Sequence, residues 1–438
     1  VSSVNVVAAA LISQTSPPII EVNLPSFYLP MSSFFDNLET LPADALFGLN
    51  VLCQADSNVD KINLTIGAYR DDEGKPVVLS SVRQAEERLL QNGENHEYLS
   101  LGGLKSYMDL SARLVLEDES GHSPVISEGR VSSIQTLGGT GGLRLAVEFL
   151  KRAHPEATIY LPASTWPTHI NIMRHAGIPF EFYRYLAPSG IDLDFDAMLE
   201  DLRKCPEGSI VLLHMVAHNP SGFDPSPKQW QQILEAVKER HLFPLLDNAY
   251  QGFFRGLVTD AYPARLLANA GVEMLIACSY SKNFGLYGER VGCLHVLSSD
   301  SSMSPAILSH LIALSRTLHS NCPAYGARIV AMILGDPELK ALWTQECNMM
   351  AGRLNSVRAQ LHSLLLELNT PGTWDHVAAQ GGMFSLTGIA PPVIKRLQVE
   401  HHVYMLTTGR ISLAGLNSSN IRRFAVALTE SINFVNKA

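Results

Sequence analysis

The feature that most constrains this chain is an alternation of short apolar runs with helix-length stretches from about Val125 to Leu297. Six runs stand out: Val131–Leu137, Thr158–Leu161, Ile210–His214, Leu242–Leu246, Met274–Ser279 and Val291–Val296. They are apolar on both faces, which suits strands whose sheet is covered by helices on both sides. Helix-length segments such as Pro227–Arg240 and Ala261–Ala270 lie between them. Strand and helix in turn predict an α/β fold with a mostly parallel sheet, helices covering both faces.

The chain has 438 residues, enough for two compact domains with large cores. After Asp336 its character changes. Residues 336–368 are continuously helical, two short strand candidates follow at Gly382–Leu386 and Tyr404–Leu406, and a last helix runs from Ser419 to about Val435 after the capping stretch LNSSN. These features predict a smaller α+β domain formed by both chain ends. The expected boundaries are 78–349 for the large domain, with 31–77 (an N-terminal arm and first part) and 350–438 for the small one. Residues 1–30 contain four prolines and no Lys or Arg. They read as an extension or appended remnant without fixed structure, and not as a standard targeting signal, which needs basic residues.

Composition excludes several functions. The net charge of −9 makes the chain a poor partner for nucleic acid or anionic lipid, because each phosphate contact needs a cation. No apolar run approaches the roughly 18 residues of a membrane span. The six cysteines form no C-x-x-C pair. They argue against a disulfide framework or zinc ribbon and for reduced thiols in an intracellular setting, cytoplasmic or organellar. No metal site is expected.

In open α/β sheets ligands bind beyond the carboxyl ends of the strands, so the residues after each run matter most. GGTGGL (138–143), HNPSG (218–222), DNAYQG (247–252) and YSKNFG (280–285) follow four of the runs. The glycines before a helix could cradle a phosphate on free N–H groups, or simply make a tight turn. Lys282 follows a buried run, where desolvation favours a neutral amine able to add to an aldehyde. Asp247 could cap a helix or hold a proton on a pyridine nitrogen. Pyridoxal phosphate needs both groups: a lysine for its aldehyde and an acid for its ring nitrogen.

With YSKNFGLYGERVG, HNPSG, DNAYQG, GGTGGLR, STWPTH and TGRISLAG in this order, the chain resembles the class I aspartate aminotransferases of the fold-type I pyridoxal-phosphate enzymes, in register from about Ser32 to the C-terminus. The resemblance implies Lys282 as the lysine that forms a Schiff base with the cofactor and shuttles a proton. It implies Asp247 as the partner of the pyridine nitrogen, Tyr250 and Asn219 as hydrogen-bond partners of the ring oxygen, and Trp166 as the stacking aromatic. Gly139, Thr140, Ser279 and Arg290 match phosphate binders, and Tyr98 matches a phosphate ligand donated by the second subunit of a homodimer. Gly67 matches the glycine of a mobile segment over the substrate. Arg410 matches the clamp for a substrate α-carboxylate, and Arg316 the residue that reaches across the dimer to a distal carboxylate. Phe384 and Asn321 resemble neighbours of that pocket. Two guanidinium forks suit a dicarboxylic substrate such as aspartate or glutamate. Ser221 and Leu137 depart from the usual residues by small changes.

The resemblance implies reversible amino transfer from L-aspartate to 2-oxoglutarate by a ping-pong mechanism. A relative that also accepts aromatic amino acids is an alternative, since it can retain both arginines. Arg316 argues against a lyase or decarboxylase, which needs no distal clamp. A regulator on this scaffold would need a DNA-binding domain that thirty residues without Lys or Arg cannot supply.

Overall fold

The computed structural model describes residues 33–41, 44–65 and 67–437. The expected extension, 1–30, lies outside them. Val1–Ala43 and Asp44–Ala438 form separate units, and all elements below belong to the second.

The described strands are β1 (Ile62–Asn63), β2 (Val131–Leu137), β3 (Ile159–Pro162), β4 (Phe180–Tyr183), β5 (Ile210–His214), β6 (Phe243–Asn248), β7 (Met274–Ser279), β8 (Val291–Leu297), β9 (Phe384–Leu386), β10 (Val403–Tyr404) and β11 (Arg410–Ser412). Seven form one sheet in the order β2-β8-β7-β6-β5-β3-β4. The pairs β7–β6, β6–β5, β5–β3 and β3–β4 are parallel, while β8 runs antiparallel to both its neighbours. All six predicted runs are strands of this sheet, within two residues at each end. β4 was not predicted. It is an edge strand with Glu181 and Phe182 exposed, so it carries no continuous apolar run.

The sheet divides the core as expected. On β5, Ile210 and Leu212 face one apolar cluster with Leu143, Leu150 and Met173, while Val211 and Leu213 face another with Trp230, Ile233 and Leu267. Helices Gly138–Ala153 and Pro167–Ala176 cover the first face; Pro227–Glu239 and Tyr262–Asn269 cover the second. Among the described residues no helix is long and apolar enough to cross a membrane.

The predicted helix after Asp336 spans Pro337–Glu367, capped by the Asp336 carboxylate, which accepts from the N–H groups of Glu338 and Leu339 at 2.9 Å. The two short strands predicted beyond it are shifted: β9 begins at Phe384, and β10 is Val403–Tyr404. β10 pairs in parallel with β1, from the other end of the chain. β9 pairs with β11, a strand missed because Arg410 interrupts its apolar pattern.

Backbone packing fixes the glycine turn after β2. A Cβ on Gly292 would lie 2.5 Å from the carbonyl carbon of Gly138, against backbone that cannot rotate aside. Gly292→Ala should therefore cost about 1–3 kcal/mol of unfolding stability. Gly288→Ala, with no atom within 4 Å of its added Cβ, should not. Urea unfolding of the two variants checks this, and equal midpoints would refute it.

Candidate active site

Strand register brings the motifs together. His214 of β5 stands beside Asp247 of β6, Asn248 of β6 beside Cys278 of β7, and Ser279 of β7 beside Gly292, next to the end of β2. The carboxyl ends of β2, β5, β6 and β7 thus share one sheet edge. There a cavity of about 190 Å³ opens, lined by twelve of the predicted residues: Gly67, Gly139, Thr140, Trp166, Asn219, Asp247, Tyr250, Ser279, Lys282, Arg290, Phe384 and Arg410. Leu46, Leu143, Ala249 and Ser281 complete the wall.

Lys282 leaves the turn after β7, with Nζ 5.2 Å from the centre of the Tyr250 ring. Desolvation pushes its ammonium down to about 8; the Asp247 charge opposes this and Arg290 adds to it. Asp247 is the last residue but one of β6 and is buried. Burial works to raise its carboxyl, but the hydrogen bond from His169, helped by His169, His214 and Lys282, outweighs it and holds it below the usual carboxylate value.

That hydrogen bond begins a chain. His169 Nε2 lies 3.0 Å from the carboxylate, His169 Nδ1 is 2.8 Å from Thr165 Oγ1, and Thr165 Oγ1 is 3.1 Å from His214 Nε2. Burial depresses His214 to about 3, so it is neutral. The ionised Asp247 accepts from His169 Nε2–H, and Thr165 Oγ1 bridges His169 Nδ1 and His214 Nε2. His169, His214 and Asp247 place ligand atoms within 4.8 Å of one another, as a metal site would. Hydrogen bonding already occupies those atoms, so the cluster is read as a network.

Arg410, on β11, is buried. It donates from Nη2 to Thr65 O at 2.7 Å and from Nη1 to Asn219 Oδ1 at 3.3 Å. Its Nε has no partner, and among the described residues no carboxylate pairs with it. The guanidinium lies 4.2 Å from the Phe384 ring centre. Burial lowers its pKa, and Tyr250 opposes the shift. Burial likewise raises the Tyr250 phenol. Arg290 crosses the glycine turn, donating to Leu137 O, Tyr287 O and Ser281 Oγ at 3.0–3.4 Å. Helix Gly138–Ala153 begins there, and its first N–H groups have no helical acceptor. A Cβ on Gly139 would press on Ser279 at 3.0 Å, and one on Gly67 would strike Phe384 at 2.5 Å, so both approaches need glycine.

Tyr98 and Arg316 do not reach this cavity. Tyr98 is 83% exposed and lines a separate cleft of about 950 Å³ with Leu89, Leu90, Asn321 and Tyr325. Arg316 is exposed on helix Ser304–Leu318 and hydrogen-bonds Ser320. Asn321 donates to Leu99 O at 2.8 Å, tying the two exposed segments together.

The sequence reading missed His169, Thr165 and His214. His169 and Thr165 lie inside the quoted STWPTH, but only the fold carries them to Asp247. It also missed Leu46, from helix Ala45–Ala55 far upstream.

Comparisons with known proteins agree with this geometry. Residues 59–428 match the family model for aminotransferase class I and II. The mitochondrial aspartate aminotransferase of Arabidopsis thaliana is 43% identical over 401 residues, covering 91% of this chain and 92% of that protein. The solved aspartate aminotransferase from Saccharomyces cerevisiae cytoplasm superposes with a TM-score of 0.88 at 41% identity, covering 92% and 99%. The aromatic-amino-acid aminotransferase of Burkholderia pseudomallei, solved covalently bound to pyridoxal phosphate, gives 0.89 at 37% identity, covering 92% and 100%.

The lowered lysine can be measured in cofactor-free protein. Acetylation of Lys282, mapped by mass spectrometry, should reach half its maximal rate near pH 8. Asp247→Asn should move that midpoint lower, because the carboxylate charge favours the ammonium form. A midpoint near the ordinary lysine value of about 10.4 would contradict the burial argument.

Proposed function

The chain belongs to the class I and II aminotransferases, and we propose that it moves an amino group reversibly between L-aspartate and 2-oxoglutarate, with Lys282 as its cofactor lysine. It is a pyridoxal-phosphate-dependent enzyme. The observation that carries the substrate reading is Arg410: a buried guanidinium with no carboxylate partner and a free Nε, beside the amine of Lys282 in one cavity. An unpaired buried cation is expensive, and a substrate carboxylate is the group that relieves it.

The cavity suits the cofactor. A desolvated amine faces its aldehyde chemistry, a buried carboxylate kept ionised by His169 suits its ring nitrogen, and a glycine-led helix N-terminus with Arg290 and Ser279 suits its phosphate. When bound, pyridoxal phosphate supplies a carbon that takes up the amino group and a ring that accepts the electron pair left at Cα. Gly139, Thr140, Ser279 and Arg290 would hold the phosphate. Trp166 would stack on the ring, and Asn219 and Tyr250 would donate to its oxygen. Asp247 would keep the ring nitrogen protonated. Lys282 Nζ, which burial brings to about 8, would be the base that takes the proton from the substrate Cα. Arg410 holds the α-carboxylate throughout, and Gly67 and Phe384 shape the space beside it.

We further propose a homodimer with shared sites. Tyr98 and Arg316 lie outside the cavity of their own chain, on exposed segments, where a partner's cavity could receive them. The partner subunit's Arg316 would then grip the distal carboxylate. Residues 78–349 are read as the cofactor-holding domain, with 31–77 and 350–438 as the smaller one that supplies Gly67, Phe384 and Arg410. The six free, buried cysteines support an intracellular enzyme, cytoplasmic in our reading. Likeness to an aromatic-amino-acid aminotransferase favours a second reading, in which aromatic substrates are also accepted.

The absorption spectrum tests the activity. Aspartate alone should bleach the yellow band of the bound cofactor, and 2-oxoglutarate should restore it. Bleaching by tyrosine or phenylalanine but not aspartate would overturn the dicarboxylate reading. Lys282→Ala should lose at least the roughly 10²–10⁴-fold that a positioned base provides. Arg316→Leu should raise KM for aspartate roughly a hundredfold, for two charged hydrogen bonds worth about 3 kcal/mol together. Lys282→Ala and Arg316→Leu chains, each nearly inactive at aspartate well below the raised KM, should regain activity there when refolded together, since one site of the hybrid has both residues. No recovery would refute the shared site.

A further inference from the structure

We propose that Arg358 is a positioning residue for carboxylate binding: from outside the cavity it fixes the backbone that carries Phe384, and through it Arg410 and Gly67. This rests on the reading of Arg410 and Phe384 above. Arg358 lies on helix Pro337–Glu367 and is 3% exposed. Among the described residues it pairs with no carboxylate. Its guanidinium instead donates to backbone: Nη1 to Val377 O at 3.0 Å, and Nη2 to Gly382 O and Phe384 O, each at 2.9 Å. A buried cation held only by carbonyls is a costly way to stabilise a helix. It does give three backbone acceptors of the 377–384 segment a rigid planar fork. Burial brings it down to about 9, so it stays charged at neutral pH.

The loop it holds has little freedom left. Gly381 N–H donates to Gly222 O at 2.7 Å, beside the HNPSG segment that carries Asn219. Leu413 N–H donates to Met383 O at 2.9 Å, next to β11 and Arg410. Gln380 accepts from Ser385 Oγ at 2.5 Å and donates to Leu386 O at 3.0 Å. The Phe384 ring then touches three parts of the cavity. It lies 4.2 Å from the Arg410 guanidinium and 5.9 Å, edge to face, from Tyr250, and it leaves no room for a Cβ on Gly67. Lys282, Asp247 and the glycine turn stand on the sheet and receive nothing from this loop. Arg358 should therefore govern carboxylate binding more than cofactor binding, since the loop reaches the cofactor residues only through Tyr250 and the Gly222 end of HNPSG.

The test compares Arg358→Met and Arg358→Lys holoenzyme with the wild type. Leu361→Ala, a buried site three residues on, controls for lost stability. Arg358→Met should raise KM for aspartate and for 2-oxoglutarate on the order of tenfold, the scale a small misplacement of a binding group carries. It should leave the cofactor absorption band in place and change the pyridoxal-phosphate dissociation constant by much less than it changes either KM. Arg358→Lys, which keeps the charge and can reach some of the carbonyls, should recover part of the loss and serves where Arg358→Met does not fold. Leu361→Ala should lower the unfolding temperature without raising either KM. Wild-type KM values in both Arg358 variants, or an equal rise in Leu361→Ala, would reduce Arg358 to a structural residue. Failure of the wild type itself to react with aspartate would instead sink the reading on which this proposal stands.

Discussion

Strand direction is the constraint from which the site follows. Parallel strands joined by helical crossovers send all their carboxyl ends to one edge, and hydrogen-bond register sets those ends level. His214, Asp247 and Ser279 occupy such ends, and the glycine turn after β2 meets them because β8 returns antiparallel between β7 and β2. Residues more than a hundred positions apart thus converge without any long loop. The irregular segments that complete the wall, around Gly67, Phe384 and Arg410, supply the part that strand ends cannot.

Charge in this enclosed space explains how one amine becomes reactive. The cavity wall carries three bases, Lys282, Arg290 and Arg410, against one acid, Asp247. The imbalance favours anionic ligands, and low polarity amplifies it. The arginines stay charged, because their ordinary values leave a wide margin. Lysine has a smaller margin, and desolvation with a neighbouring Arg290 brings it to about 8. The same charge imbalance that favours anionic ligands therefore brings the amine closer to its neutral form.

Much of this was legible in sequence, for reasons that differ by residue. Buried strands such as β5 and β7 are apolar on both faces, a pattern few other structures impose, so their ends could be found and the polar groups beyond them named. β4 was not legible because this edge strand is short and only partly buried, and Glu181 interrupts its aromatic residues. Arg410 was legible through its motif, but not as a strand, since a functional charge breaks the pattern that reveals strands. Arg358 reads as one more helical surface charge; only the loop folded over it shows otherwise. Thr165, His169 and His214 sat in plain view, yet their partnership with Asp247 depends on register between elements up to 78 residues apart.

The histidine chain shows why the carboxylate at the centre stays ionised. A lone carboxyl as buried as Asp247 would take up a proton, and a neutral acid could not keep a ring nitrogen charged. A single hydrogen bond from a free-rotating imidazole would be a weak guard, because either ring nitrogen could turn to the carboxylate. Thr165 removes that freedom by binding His169 Nδ1, and His214 fixes Thr165 in turn. His169 Nδ1 and His214 Nε2 both meet Thr165 Oγ1, so the two imidazoles hold each other's orientation through it, and the chain ends with His169 Nε2 on Asp247.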